Sequence, residues 1–487
     1  MNINFVLKKI FILLFLLAAG CNFAAKNKLP ETDLPNQYKI EDYSVFDNEK
    51  WWEIFEDPTL NMLEETALEY NKNLVIAFER VNMARAEAGI ISANSMPQIG
   101  FNVGGMRSGG YRVRTNNRFS AGVGASYEID LWGRQRNLQA AMKARLLSRE
   151  AQKDVVRLTI TADVAKTYFT ILAYDSILAK IDAAIKDKDD NIALHKSKFL
   201  KNASTELSLR RLEAEKDNMK AIYLEYRIAL SANETALSTL IGGSAREIIE
   251  ESIPRERPLE KMAVVEKMLS QVPSSILHNR PDIRVAEMDL YEAGANIGVI
   301  RAGFFPSISL TTATVLVSES MKRLFSGGTW NFAGIITGPI FQGGRNRFKL
   351  EELQAQQRIL VSTYELTVQK AFKETYDAIT SNNINHEILA TREREVVTLN
   401  RSVTLARKSY LSKKITLTDL LEIQRRALDA DIDLSLTLRN QLYFIVDICK
   451  TLGGGLRYDH APGEEPSDAK PEVEKEPAED TDKEIKK

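Results

Sequence analysis

Two stretches of this chain contain neither glycine nor proline, Gln135 to Ile241 and Asn346 to Leu452. Each is 107 residues long (241 − 134 and 452 − 345). Each is opened by Gly-Arg, at Gly133-Arg134 and Gly344-Arg345, and closed by glycines, Gly242-Gly243 and Gly453-Gly454-Gly455. Gly and Pro are the strongest local breakers, so their absence over this length reads as very long helix. One straight helix of that length would reach about 160 Å, so each run is expected to fold back once as a helical hairpin. The apolar rhythm breaks at Phe199 to Leu207 and again at Tyr410 to Asp419, where Asn, Ser and Thr favour turns and N-caps. The longer arms, such as Gln135 to Phe199, then span roughly 100 Å.

The segments ahead of these runs have a different period. A first helix is expected from Thr59 to Ala93, with Asp57 as N-cap before Pro58 and Leu60, Leu63, Ala67 and Leu74 at helical spacing. Apolar residues then alternate with polar or Gly ones from Gln98 to Gly104 and more clearly from Arg118 to Leu131. Phe119, Val123 and Ile129 fall on one face of the second segment, and Ser120, Ser126 and Glu128 on the other. A strand of about ten residues with one apolar face suits a transmembrane barrel, although a soluble hairpin over a core has the same pattern. Residues Arg107 to Asn117 read as an exposed loop.

The whole order then recurs. A helix is expected from Arg280-Pro281-Asp282-Ile283 to Ala302, and Ala293, Ala295 and Gly298 repeat Ala84, Ala86 and Gly89 at one offset (293 − 84 = 209). A second strand pair, Ser307 to Val317 and Trp330 to Phe341, precedes the second hairpin. Such duplication is weighed before any fold is assigned. The boundaries are 1–20, a signal; 21–50, a tether; 51–243, the first repeat; 244–273, a linker; 274–456, the second repeat; and 457–487, a charged tail too poor in apolar residues to pack.

Lys8-Lys9, the apolar run Ile10 to Leu17 and Ala18-Ala19-Gly20-Cys21 describe a secretory signal. The Cys after Ala-Ala-Gly resembles a bacterial lipoprotein signal, which implies lipidation at Cys21; a secreted protein with an adventitious Cys is the alternative. Asn22 resembles the outer-membrane sorting signal of enteric lipoproteins. The other cysteine, Cys449, lies in an apolar helical run and reads as a buried small residue. A net charge of −1 gives no support for a nucleic-acid partner. The four His residues are scattered, and no zinc, nucleophile-elbow or phosphate-loop motif occurs. No enzyme activity and no cofactor are expected.

Several motifs stand in a recognisable order: Trp51-Trp52 with Phe55, Asp57-Pro58 and Leu60; Tyr127-Glu128-Ile129-Asp130-Leu131-Trp132-Gly133-Arg134; Arg280-Pro281-Asp282-Ile283-Arg284; Phe304-Phe305-Pro306-Ser307; and Gly338-Pro339-Ile340-Phe341. Together they resemble the bacterial outer-membrane efflux channels of the TolC superfamily, most closely the lipoprotein branch serving resistance-nodulation-division pumps. The resemblance runs from Trp51 to Leu456. It implies a mainly α chain with a transmembrane β part. Three chains would each give four strands to one twelve-stranded outer-membrane barrel and two long hairpins to a periplasmic α-helical tunnel. It implies a homotrimer in contact with outer-membrane lipid, lipid-anchored and extending into the periplasm, partnered by a periplasmic adaptor and an inner-membrane transporter. The expected function is passive conduction of solutes to the exterior. Protein secretion through the same architecture, and a non-conducting coiled-coil lipoprotein, are the alternatives.

A gate is expected at the hairpin tips. Asp419 and Glu422, three apart, share a helix face, and their spacing resembles the acidic pair at the periplasmic mouth in this family. Arg210 and Arg211, at the matching tip of the first hairpin, are the expected basic partners. The exported substrate is not named by the sequence.

Overall fold

The computed structural model describes residues 49–200, 205–250, 253–255, 257–262, 279–456 and 458. The signal, Cys21, nearly all of the tether, about half of the linker and all of the charged tail but Tyr458 lie outside them.

The chain enters through a tight turn of helix over Trp51–Phe55 and continues into α1 (Pro58–Tyr70) and α2 (Lys72–Asn94). The Asp57 carboxylate accepts the Thr59 and Leu60 amides at 2.9 and 3.4 Å, and Pro58 needs no partner for the amide it lacks. The single helix expected from Thr59 to Ala93 is two. Asn71 adopts an extended backbone, ends α1, and accepts the Asn73 and Leu74 amides as N-cap of α2. Its amide nitrogen donates to the Leu240 carbonyl at 2.7 Å, a tertiary contact that local periodicity does not encode.

Strands β1 (Gln98–Gly110) and β2 (Val113–Ile129) follow. The expected loop from Arg107 to Asn117 is instead mostly ladder: Arg107 pairs with Asn117 and Ser108 with Asn116, and only Tyr111 and Arg112 form the turn. Arg112 sits at φ 63°. Polar residues there masked a strand whose tip needs no apolar face. Helices α3 (Arg134–Leu200) and α4 (Glu206–Leu240) make the first hairpin. Helix α5 (Pro281–Ala302) leads to β3 (Ser307–Ser318) and β4 (Gly328–Thr337). Strand β4 stops short of the expected Phe341 because Gly338 and then Pro339, which has no amide to donate, end the ladder. Helices α6 (Arg345–Leu411) and α7 (Leu417–Thr451) make the second hairpin.

The two hairpins have identical dimensions, 67 residues in α3 and α6 and 35 in α4 and α7. The long helices are about 100 Å and the short ones about 50 Å. The closing glycines take equivalent positions. Gly242, at φ 84°, abuts the Tyr70 carbonyl, and Gly453, at φ 92°, abuts the Asn279 carbonyl. A Cβ at either position would collide with that backbone, which explains why these runs end on glycine.

The main core lies part-way along α3. Ile160 to Ala173 of α3, Leu442 to Cys449 of α7 and Leu452 just past its end, the Trp51–Phe55 turn, α1 and the linker residues Leu259 and Met262 close around it. Phe55 and Phe169 meet edge to face at 4.8 Å, and Tyr168 donates its hydroxyl to Asp57 Oδ2 at 2.9 Å. Cys449 is buried there, and desolvation pushes its thiol up. A smaller core joins Ile283 and Leu290 of α5 to Tyr364 and Val368 of α6.

Candidate functional site

Among the described residues no helix is long and apolar enough to cross a membrane. The sheet has the pattern the helices lack. Its order is β1-β2-β3-β4, all antiparallel, with β1 and β4 as open edges. Directly paired residues share a face. The register therefore places Phe101, Val123, Thr314 and Trp330 in one row of one face, and Ile99, Ala125, Thr312 and Phe332 in the next. The rows of the opposite face read Asn102, Gly122, Val315, Thr329 and Gln98, Ser126, Thr311, Ala333. In these rows one face is apolar and partly aromatic on β1, β2 and β4, with Thr312 and Thr314 from β3, and the other carries mostly small and polar side chains. Phe101 and Trp330 are 83% and 80% exposed in the single chain. The faces expected for Phe119, Val123 and Ile129, and for Ser120, Ser126 and Glu128, agree with this register.

The Tyr127-to-Arg134 motif is the joint between the sheet and the long helix α3. Asp130 accepts the Gln135 and Arg136 amides at 3.1 and 2.9 Å, capping α3. Glu128 holds Arg134 at 2.9 Å. Trp132 donates to the Pro306 carbonyl at 2.7 Å and stacks on Phe305, tying the joint to the equivalent corner of the second half.

At the far end, the hairpin tips bring some expected residues together and separate others. Thr416 and Asp419 form a capping box: the Thr416 amide and hydroxyl both donate to Asp419 Oδ2, at 2.9 and 2.7 Å, and the Thr416 hydroxyl accepts the Asp419 amide. These hydrogen bonds hold the Asp419 carboxyl below its ordinary range. Glu422 pairs with Arg426 at 2.7 Å. The expected pairing of the two acids with Arg210 and Arg211 is absent among the described residues. Arg210 binds Glu206 and Glu213 of its own helix, because three- and four-residue spacing puts those carboxylates closer than the other hairpin. Arg211 does cross over, donating to the Thr418 hydroxyl at 2.5 Å.

Other residues tie the hairpins near their tips. Asp187 of α3 binds Arg407 of α6 at 2.5 Å and accepts from Gln424 of α7 at 3.3 Å. Lys188 is buried and donates to Gln424 Oε1 at 2.7 Å; desolvation lowers its pKa. His195 stacks on Tyr410 and hydrogen-bonds its hydroxyl at 3.1 Å. Sequence spacing carries no signal for these contacts, whose partners are more than 200 residues apart. The fold-back at Tyr410 to Asp419 was visible in its turn- and cap-forming residues, but the specific Thr416–Asp419 box was not singled out.

The model of the outer membrane efflux protein family matches residues 63–243 and 272–454. The solvent efflux pump outer membrane protein SrpC of Pseudomonas putida is 31% identical over 415 residues, 83% of this chain and 87% of that protein. The probable outer membrane lipoprotein SilC of Salmonella typhimurium is 28% identical over 466 residues, 93% of this chain and 99% of its own. Among solved structures, the open state of the Neisseria gonorrhoeae MtrE outer membrane channel superposes with a TM-score of 0.81 at 28% identity, covering 90% of this chain and 99% of that one.

Proposed function

This chain belongs to the outer membrane efflux protein family and is an outer-membrane efflux channel, and on that premise we propose that three copies form one continuous duct. One observation carries the reading: the four-stranded sheet gathers its large apolar and aromatic side chains on one exposed face yet ends in two open edges. Four strands are too few to close, since the smallest membrane barrels have about eight. Pairing β4 of each copy with β1 of the next makes a twelve-stranded barrel with no free edge and turns Phe101, Val123 and Trp330 toward lipid. The two hairpins of each chain, equal in length and closed by equivalent glycine contacts, support an internal repeat whose six copies line a tunnel across the periplasm. A periplasmic adaptor and an inner-membrane transporter deliver solutes to its mouth, and the channel conducts them passively.

The acyl chains on Cys21 add a second hold on the membrane, a reading supported by the match to a relative named as a lipoprotein. The rungs from Asp187 to Arg407 and from His195 to Tyr410 hold the second hairpin against the first, so opening requires their release. Asp419 and Glu422 from three chains put six carboxylates at the periplasmic mouth, where they attract cations. Arg211, through the Thr418 hydroxyl, sets the position of the facing tip, while Arg210 braces its own helix.

Purified protein should run as a heat-labile trimer and conduct ions in a planar bilayer. A monodisperse monomer, or inserted protein that passes no current, overturns the assembly. Asp419→Asn with Glu422→Gln should weaken block by trivalent cations added from the tunnel side; unchanged block removes these acids from the mouth. Cys21→Ala should abolish labelling with palmitate, and labelling that persists places the lipid elsewhere.

A further inference from the structure

The apolar face of the sheet stops abruptly at the end away from the helices. Its last row there joins Gly105, Phe119 and Ser318, and its first row, next to the helices, joins Ile129, Ile308 and Ile336. Ten residues separate Phe119 from Ile129 (129 − 119), which is about 33 Å of strand. Tilted by about 40°, that length rises about 25 Å, the height of the apolar band of a membrane barrel. No charged side chain stands on this face between the two rows. The next position on the face is Arg107, which pairs with Asn117 two residues beyond Gly105 and Phe119. Pairing stays regular through Ser108 and Asn116 and shifts only past them, so the face of Arg107 is fixed. At the same tilt its Cα lies about 5 Å beyond the band.

The connection from β3 to β4 lies at the same end. It leaves the ladder at Ser318, beside Phe119, and makes one short helical turn over Met321–Arg323. Ser326 donates its hydroxyl to the Arg323 carbonyl at 2.7 Å, and Leu324 is buried, while Met321, Lys322, Arg323 and Phe325 are exposed. Apolar and basic side chains thus share one surface, a combination suited to the boundary between hydrocarbon and headgroups. Among the described residues, the side chains of Arg107, Lys322 and Arg323 have no carboxylate or hydrogen-bond partner. The acid at this end, Glu319, falls one position past the Phe119–Ser318 pair and so continues the opposite face, beside Arg118. Charge is therefore balanced on the inner face and unbalanced on the outer one.

We infer that Arg107, Lys322 and Arg323 form a headgroup site on the outer wall of the barrel, which binds a phosphate-bearing lipid of the outer leaflet. The inference rests on the membrane barrel proposed above. Strands β1 and β3 are two spacings apart, about 10 Å, so long basic side chains from both reach one headgroup. The planar guanidinium fork of Arg takes phosphate oxygens in pairs, and Lys adds a point charge. The acyl chains of the same lipid lie on Val103, Phe119 and Val123 below. A soluble anion meets the charges but gains nothing from that apolar wall, so the surface favours an anion that carries its own hydrocarbon. Three copies carry three such sites.

The test is equilibrium binding of fluorescent diphosphoryl lipid A to the purified full-length protein in neutral detergent, beside lipid A stripped of its phosphates. Wild-type protein should bind the phosphorylated lipid at least tenfold more tightly. Arg107→Gln with Lys322→Gln and Arg323→Gln should abolish that preference, and Arg118→Gln, on the inner face, should leave it intact. Should the triple variant fail to assemble, Arg107→Gln alone and Lys322→Gln with Arg323→Gln carry the comparison, each with a smaller loss. Equal binding of the two lipids by wild type overturns the site, as does a preference that survives the triple variant or is lost in Arg118→Gln. Displacement of the lipid by equimolar tripolyphosphate overturns a lipid occupant in favour of a soluble polyanion. Wild-type protein that conducts in a planar bilayer yet shows no preference overturns the site alone. Inserted wild-type protein that carries no current overturns the barrel reading, and the site with it.

Discussion

The belt around Tyr168 and the four-stranded sheet use the same kinds of side chain to opposite ends. In the belt Trp51, Phe55, Phe169 and Ile445 are buried within the chain. In the sheet Phe101, Val123, Trp330 and Phe332 lie exposed on the single chain. Helix, turn and linker converge on the belt, so its apolar groups find partners locally. The sheet has one layer and, among the described residues, nothing behind its apolar face; in the proposed barrel its partners are lipid. Apolar composition does not separate the two regions; the period of the pattern and the presence of a second layer do.

That contrast can be broken from either side. Phe169→Ala in the belt should be the most damaging change, about 3–5 kcal/mol from lost burial and a cavity. It should appear as a large fall in the thermal dissociation temperature of the assembled protein, with membrane insertion retained. Val123→Arg in the sheet should cost roughly 2–4 kcal/mol if its side chain meets hydrocarbon, while Ser126→Arg on the opposite face should assemble normally. Gel assays of assembly in membranes separate these outcomes, and equal assembly of both variants would reverse the assigned faces. Asp57→Ala removes the cap of α1 and strands the Tyr168 hydroxyl, so a loss of about 2 kcal/mol is expected in denaturant titrations.

The smallest effect concerns Glu64, which is 0% exposed in the belt and whose carboxylate oxygens have no hydrogen-bond partner among the described residues. Burial raises its pKa well above the ordinary value. The stability its neutral form contributes is complete below the unfolded pKa and is lost as pH rises through the raised folded value. Glu64→Gln should therefore raise the dissociation temperature near about pH 8 and change it little near about pH 4. A shift of equal size at both would show that its charge is not what varies. Because Glu64 is already enclosed within one chain, a neighbouring copy cannot supply its partner.

Much of the fold could be read from residues alone because it rests on local chemistry. The absence of Gly and Pro set the hairpin lengths, and Thr205 and Thr416 mark the fold-back points as N-caps. Asn71 escaped notice because an isolated Asn inside an apolar rhythm gains its capping role only when Leu240 offers a carbonyl. The Arg107–Asn117 loop was misread because polar residues hide a strand that projects beyond the apolar band. At the tips, Asp419 and Glu422 were visible as a same-face pair. The ties through Asp187, Lys188 and His195 were not, since each depends on how two long helices register against each other.

The unpaired edges of β1 and β4 also bear on how the protein is made. A lone chain that has finished its helices still presents a row of free backbone amides and carbonyls beside a bare aromatic face. Both are templates for wrong association. In the proposed three-chain barrel, correct closure is third order in chain concentration, whereas an erroneous encounter needs only two. Biogenesis therefore favours delivery that holds nascent chains apart, then brings three together at the membrane surface, so that insertion and oligomerisation become one event.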